Sequence, residues 1–298
     1  MDIPAELYPF KGTYLDIEGH RLHVLDEGKG TPVVMVHGNP SWSFYYRNLV
    51  TALRDKHRVI VPDHIGCGLS EKPAANAYPY TLQRRVADFG QTIDQLDVGD
   101  DITLVVHDWG GMIGMAWAVE NAHRVKRIVV LNTAAFPLPE SKKFPATLGL
   151  VRNSVIGAWL VLHFNAFSRG ATRMAVTRKA MPKDIRDAYC APYNSPANRI
   201  ATLRFVQDIP LAEDDPGWSI VENTANKLQQ FAQTPVLICW GAKDFVFDDH
   251  FLDKWQQYWP HAAVHRYADC GHYILEDASD EVITEIQQFL INHPIANE

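Results

Sequence analysis

Residues 102–118 constrain this chain most. Ile102-Thr103-Leu104-Val105-Val106 is a short apolar run of the kind expected of a strand buried on both faces. Met112-Ile113-Gly114-Met115-Ala116-Trp117-Ala118 is equally apolar and reads as a buried helix. Between them stands His107-Asp108-Trp109-Gly110-Gly111, a lone acidic residue followed closely by paired glycines. A strand that breaks sharply into a helix there lifts one side chain clear of the sheet's end, with backbone N–H groups crowded around it. That is the geometry of a nucleophile elbow. The usual pattern is G-x-S-x-G; here Asp108 holds the centre and Val106 stands where the first glycine would be. A carboxylate nucleophile forms an ester by displacement, so its substrate carries an electrophilic carbon with a leaving group. An aspartate capping a helix N-terminus accounts for the same letters without chemistry.

The flanking chain alternates strand and helix signals. Thr13–Ile17 and Leu22–Asp26 read as opening strands, with Glu27-Gly28-Lys29-Gly30 as a hairpin-type turn. Pro32–Val36 is a buried strand ending in His37-Gly38-Asn39-Pro40, and Phe44 to Arg54 has helical spacing. Arg58–Pro62 is the next strand. Thr81 to Leu96 is helical, with Leu82, Val86, Phe89, Ile93 and Leu96 on one stripe. Val125–Leu131 follows the elbow helix as a strand ending at Asn132.

The rhythm then breaks. From Ala134 to about Gly217 there is no alternation, only Pro137, Pro139, Pro145 and helix-like pieces: Leu148 to Phe167, Asp184–Tyr189 and Ala197–Val206. Such an insertion is most simply a helical cap over the sheet's carboxyl edge, where sheets of this kind bind ligands. A helical decoration with no part in the site has the same pattern. Alternation resumes with the strand Pro235–Trp240, a helix over Asp248–Tyr258 and the strand Ala263–Tyr267. Ser279-Asp280-Glu281 is an N-cap signal before a closing helix with Val282, Ile283, Ile286, Phe289 and Leu290 on one face. The expected organisation is a core of residues 1–133 and 218–298 around a cap of residues 134–217. The expected sheet has about eight mostly parallel strands.

Composition narrows the partners. A chain of 298 residues, 47% hydrophobic, can bury one large core, and length alone suggests one or two domains. Net charge is −7 with no run of Lys or Arg, which predicts no electrostatic footprint for nucleic acid or an acidic membrane surface. Met1-Asp2-Ile3-Pro4-Ala5-Glu6 does not resemble a signal peptide. Val155 to Phe164, the longest apolar stretch, is too short to span a bilayer. Cys67, Cys190, Cys239 and Cys270 have neither metal-ligand nor disulfide-framework spacing, so a reducing, cytoplasmic location is the default expectation. No phosphate loop or metal cluster is legible, so neither a cofactor nor a metal is expected; Gly66-Cys67-Gly68 is too short to be one.

Three polar residues fall just past predicted strand ends: Asp108, Asp244 and His272. Their order, nucleophile, acid, histidine, is that of the α/β-hydrolase fold. Asp244 stands where it can fix the tautomer of His272. Singly, Asp244 is also an ordinary turn residue and His272 an ordinary loop histidine; jointly, at three strand ends in order, they define a triad. The side-chain amide of Asn39 and the indole N–H of Trp109 are two neutral donors able to hold a departing anion without pairing Asp108 with a charge. Asn39 as a turn residue before Pro40, and Trp109 as core filler, are the plain structural alternatives.

His37-Gly38-Asn39-Pro40-Ser41-Trp42-Ser43-Phe44-Tyr45-Tyr46-Arg47-Asn48-Leu49, together with Val106-His107-Asp108-Trp109-Gly110-Gly111, resembles the haloalkane dehalogenases of the α/β-hydrolase superfamily, over about Gly12 to Leu290. The resemblance implies that Asp108 is the nucleophile, that His272 activates water, and that Asn39 with Trp109 holds the leaving halide. Asn132 ends the sixth strand and is no carboxylate, so Asp244 takes the acid role, as in the third dehalogenase subfamily.

Within that subfamily, Ala191-Pro192-Tyr193-Asn194-Ser195, the segment Asn198 to Leu211, Cys239-Trp240-Gly241, Asp244-Phe245-Val246-Phe247 and Ala268-Asp269-Cys270-Gly271-His272-Tyr273 are similar to bacterial cis-β-lactone decarboxylases of long-chain olefin biosynthesis. The resemblance implies a hydrophobic small-molecule substrate, a four-membered lactone with two hydrocarbon arms, released as a cis-olefin and carbon dioxide. It also implies assembly with the pathway's other enzymes, or self-assembly. Dehalogenases share the subfamily, so the motifs leave both activities open. The apolar stretch with Val155, Ile156, Trp159, Leu160, Val161 and Leu162 suits greasy arms, though a helix core has the same look. An epoxide hydrolase also uses an aspartate elbow, with two cap tyrosines; Tyr189 and Tyr193 are available, but Asn39 in place of an aromatic argues against it. A non-catalytic receptor of this fold would be expected to lose a triad member, and none is lost.

Overall fold

The computed structural model describes residues 3–295. Met1 and Asp2 of the amino-terminal segment, and residues 296–298 of the expected core segment 218–298, lie outside the described residues. The opening hairpin is β1 (Thr13–Ile17) and β2 (His20–Glu27), followed by β3 (Pro32–Val36), α1 (Arg47–Leu53), β4 (Arg58–Pro62) and α2 (Leu82–Gln95). The elbow is β5 (Ile102–Asp108) and α3 (Trp109–Glu120), and β6 (Val125–Thr133) comes next. Five helices are inserted after it: α4 (Ala146–Asn153), α5 (Val155–Phe164), α6 (Ala166–Met174), α7 (Lys183–Cys190) and α8 (Ile200–Gln207). The chain then runs through α9 (Trp218–Lys227), β7 (Val236–Gly241), α10 (Asp249–Tyr258), β8 (Ala263–Tyr267), α11 (Ile274–Asp277) and α12 (Ser279–Asn292).

The eight strands form one sheet in the order β1-β2-β4-β3-β5-β6-β7-β8. The first two pairings are antiparallel and the remaining ones parallel. This topology decides where a site can form. The chain leaves β3 for β4 on one side and then crosses back to place β5 on the other. The loops after β3 and β5 therefore diverge and open a crevice at their carboxyl ends. Asn39 follows β3, and Asp108 ends β5.

The central strands β3 to β7 are apolar on both faces because both faces are covered. Val34, Val36, Leu104 and Val106 join the core layer under α2, α3 and α10, while Val33, Met35, Val105 and Leu131 join the layer under α1 and α12. Each such side chain contributes about 1.5–3 kcal/mol relative to exposure. A strand with one wet face would alternate, and these do not.

Three local readings change. The stretch Leu148 to Phe167 is not one helix but parts of three. Ser154 leaves helical geometry and caps α5, its Oγ accepting from Gly157 N at 2.9 Å, and Asn165 takes a left-handed conformation between α5 and α6. The α4–α5 pair is bent by 92°. Gly157 permits that bend, since a Cβ there would lie 2.3 Å from the Leu150 carbonyl oxygen. Ser279 is the first residue of α12 rather than its cap; Ala278 occupies the cap position with no side-chain bond. A short 3-10 turn, Ser43–Tyr46, precedes α1, because the buried aromatics there pack into the core one after another.

Candidate active site

Asp108 ends β5 with φ 51° and ψ −128°, a strained conformation for a side chain with a Cβ. Its surroundings hold it there: Thr133 Oγ1 donates to the Asp108 carbonyl, and α3 starts at the next residue. Gly110 lets the turn pass against β3, because a Cβ there would sit 1.9 Å from the Val36 carbonyl oxygen. Backbone cannot yield as a flexible side chain can. Gly110→Ala is therefore expected to destabilise the fold by more than about 3 kcal/mol, read as a lowered thermal midpoint. An unchanged midpoint would contradict the close packing of elbow on β3.

The carboxylate is held at both oxygens. Oδ1 accepts the backbone N–H of Asn39 at 2.5 Å, and Oδ2 lies 3.4 Å from His272 Nε2. His272 Nδ1 lies 2.7 Å from Asp244 Oδ2, so Asp244 accepts the Nδ1–H hydrogen bond and Nε2 is turned toward Asp108. Asp244 is itself pinned: Val246 N–H donates to Oδ1 at 2.7 Å, and Asn132 Nδ2 donates to Oδ2 at 3.1 Å. The structure thus brings Asp108, Asp244 and His272 together from three strand ends. Asn132, set aside in the sequence because it is no carboxylate, orients Asp244.

Charge balance in this cluster is unusual. Burial alone would push the His272 imidazole down, but the carboxylates of Asp244 and Asp108 outweigh it and raise it to about 10. Burial would raise Asp108, and the His272 hydrogen bond and charge, with help from the Asn39 N–H, pull it below its ordinary value. The resting pair is carboxylate and imidazolium. Neighbouring His107 is driven the other way, to about 3, by burial first and by the charge of His272 second. It stays neutral, with Nε2 2.9 Å from the His272 carbonyl oxygen, and adds no competing charge.

Asn39 and Trp109 stand in front of the carboxylate, lining the same cavity. Asn39 Nδ2 spends one hydrogen on the Thr202 carbonyl at 3.1 Å, which orients the amide and leaves its second hydrogen over. The Trp109 ring packs edge-on against Phe205, 5.2 Å between centroids. Its indole N–H donates to no protein acceptor among the described residues. Trp109 is thus both core filler and an available donor.

The cavity holds about 240 Å³, and its polar side chains are Asn39, Asp108, Trp109, Thr147 and His272. The rest of the lining is apolar, drawn from loops, from α4, α5, α6 and α8, and from Met112, Val221 and Phe251 of α3, α9 and α10. Leu160 and Val161 of α5 face it, while Val155, Ile156 and Trp159 are exposed and Leu162 lies outside the lining. Only part of that stretch therefore meets a substrate. The tyrosines an epoxide hydrolase would need are engaged elsewhere: Tyr189 OH donates to Glu276 at 2.6 Å and Tyr193 OH to the Ser41 carbonyl at 3.3 Å. Neither is among the lining residues.

A buried carboxylate, an imidazole between two acids, neutral donors and a largely apolar cavity converge at the carboxyl ends of the strands. The chain belongs to the α/β hydrolase fold family, whose pattern it matches over residues 31–279. It is 59% identical to the cis-3-alkyl-4-alkyloxetan-2-one decarboxylase of Shewanella oneidensis, over 95% of this chain and 89% of that one. It is 46% identical to the enzyme of the same name from Xanthomonas campestris, over 97% of this chain and 98% of that one. Haloalkane dehalogenase 2 of Mycobacterium bovis is 31% identical over 94% of this chain and 95% of its own. Among solved structures, the haloalkane dehalogenase DatA of Agrobacterium tumefaciens C58 superposes with a TM-score of 0.86 at 23% identity, covering 95% of this chain and 97% of that one. That last likeness is one of fold.

Sequence reading missed the network that holds the Asn39 loop. Asp63, fully buried, accepts from Ser43 N at 2.7 Å and Leu69 N at 2.9 Å and lies 2.9 Å from His23 Nδ1. Burial would raise its carboxyl, and the His23 and His37 partners hold it near 2. Arg47 makes a two-pronged pair with Glu276, at 2.5 and 2.9 Å, tying the start of α1 to α11, the helix after His272. The partners are up to 229 positions apart, so no local pattern marks them.

Proposed function

We propose that this chain decarboxylates cis-β-lactones to cis-olefins and carbon dioxide, with Asp108 as nucleophile, His272 and Asp244 completing the triad, Asn39 and Trp109 holding the anion that departs, and residues 134–217 as the cap that encloses two hydrocarbon arms. The observation that carries this reading is a single ionised carboxylate at the floor of an otherwise apolar cavity, with neutral donors beside it. The relatives named as oxetanone decarboxylases, at 59% and 46% identity, support the lactone over the haloalkane.

The chemistry closes without water. Asp108 attacks the ring carbon bonded to oxygen with inversion, that C–O bond breaks, and the ring oxygen departs as a carboxylate within reach of Asn39 and Trp109. The C–CO₂ bond then supplies the electrons of the new double bond while the bond to Asp108 breaks. Carbon dioxide leaves and the Asp108 carboxylate is restored. Inversion followed by anti loss equals net syn loss, so a cis lactone gives a cis olefin. On the rival path Asp108 attacks the carbonyl, forming an anhydride, and His272 as imidazolium protonates the alkoxide.

A haloalkane is the second reading, favoured by the 31% identical dehalogenase. The site has a physical reason to serve it. Alkylation of Asp108 removes one of the charges that raise His272, so the imidazole becomes a stronger candidate for the neutral base that activates water. Incubation with a cis-dialkyl β-lactone and, separately, with a bromoalkane decides between them. Olefin from the first with little bromide from the second is expected. Rapid bromide release without olefin would assign the chain to the dehalogenases.

A further inference from the structure

The net charge of −7 conceals a segregation. Between Ser141 and Lys183 there are eight lysines and arginines and not one Asp or Glu. Lys142, Arg152 and Arg178 are neutralised by Asp248, Asp215 and the pair Asp269 and Glu281. Arg169 and Arg173, one turn apart on α6, instead line an open surface cleft with Lys183, Arg186 and Arg199. Asp187, the carboxylate in that cleft, is taken by Lys183 at 2.5 Å. The four arginines pair with no carboxylate among the described residues.

Beside the cleft lies α5, apolar all round yet poorly buried. Val155 is 86% exposed, Ile156 67%, Trp159 50% and Phe164 52%. Arg199 Nη1 donates to the Leu162 carbonyl at 2.7 Å, which seats the basic cleft against the last turn of this helix. The inner side of α5, through Gly157, Leu160 and Val161, is a wall of the catalytic cavity. One helix thus separates the substrate cavity from an exposed apolar face that is flanked by unpaired arginines.

From this arrangement we infer that the cap docks on an anionic phospholipid surface, with Val155, Ile156, Trp159 and Phe164 entering the acyl boundary and the arginine cleft taking headgroup phosphates. A helix with apolar side chains, a tryptophan at its exposed side and cations beside it has the chemistry of an interfacial segment. The rest of this acidic molecule is repelled by such a surface, so the basic cap is the face that can approach. A second copy fits less well, because a two-fold contact would set each arginine cleft against the other's charge. Docked in this way, α5 lies between bilayer and cavity, a short path for a hydrocarbon that partitions out of water. Docking rests on surface chemistry, not on the reading of the reaction, and is measured by binding alone.

The test is co-flotation of the full chain with vesicles of phosphatidylcholine, and of phosphatidylcholine mixed with phosphatidylglycerol. Wild type is expected to float with the anionic vesicles and not with the neutral ones. Arg169→Ala with Arg173→Ala should weaken that binding about thirty-fold, each cation near the surface counting about fivefold. Ile156→Ser with Trp159→Ser should lose it as well, with unchanged circular dichroism and unchanged turnover of a soluble short-chain substrate. Equal flotation with both vesicles, flotation with neither, or flotation untouched by the substitutions overturns the proposal. A dimer in light scattering that the Ile156→Ser, Trp159→Ser variant converts to monomer assigns the face to a second copy and overturns it too.

Discussion

Asp108→Asn is expected to abolish olefin formation, by about 10⁴-fold or more, while the protein still folds and binds lactone. The amide keeps the shape of the carboxylate, and its oxygen can still accept the Asn39 N–H that Oδ1 accepts now. It has no nucleophilic oxygen and no charge. Because Asp108 is one of the groups that raise His272 to about 10, the variant should also show a lower imidazole pKa by NMR. The two readouts separate chemistry from folding: rate falls to background while His272 titrates in an intact site. Full olefin yield from this variant would remove Asp108 from the mechanism altogether.

The second large effect concerns Asp244. Its charge is the foremost influence holding the buried imidazole protonated, against the burial that would discharge it. In wild type, His272 stays cationic up to about pH 10 and keeps Asp108 Oδ2 in place. Above that pH, a neutral ring whose proton sits on Nδ1 turns a lone pair toward the carboxylate. Turnover should therefore be flat through neutral pH and decline as pH rises through about 10. The stability contribution follows the same sign: a raised histidine pKa stabilises fully below the unfolded value near 6.5, and the gain is lost as pH rises through about 10. Asp108, lowered, contributes on the other side, its share lost as pH falls through its folded value. In Asp244→Asn the alkaline limb should move down toward the ordinary histidine range. Bromoalkane hydrolysis, which needs the oriented base, should fall by about 10⁴-fold. An unshifted limb would mean that Asp244 does not govern His272.

Much of the fold was legible because its signals are local. Pro32–Val36 and Arg58–Pro62 are strands with the expected bounds, since a strand buried on both faces writes a continuous apolar run and ends at a polar loop, and the edge strand Ala263–Tyr267 also keeps its expected bounds. α2 runs between the expected limits because Thr81 caps it and Leu96 closes it. The inserted helices were less legible: Leu148 to Phe167 is apolar without a clear break, and the breaks come from Ser154 and Asn165, single residues whose backbone choice is settled by packing. The Ser279 signal misled by one position, as the non-helical residue between α11 and α12 is Ala278.

Within the candidate site, the side chains that converge, Asp108, Asp244, His272, Asn39 and Trp109, were readable as letters at strand ends, because the elbow and the strand-end loops repeat a geometry that constrains residue type. The partners of those letters were not. Asn132 on Asp244, Thr202 on Asn39 and Glu276 on Arg47 are joined across 112, 163 and 229 positions. Nothing in composition or periodicity records a contact between residues that distant.

By itself, then, the order of residues determined a doubly covered sheet, an aspartate at its elbow and the side chains able to serve it, since each depends on the chemistry of a few adjacent positions. Only the tertiary structure decided which proton His272 keeps, which way the Asn39 amide turns, and which side of α5 meets the cavity. Those outcomes are set by burial and by charges brought together from distant segments. Both are properties of the folded surface and volume, not of neighbours along the chain.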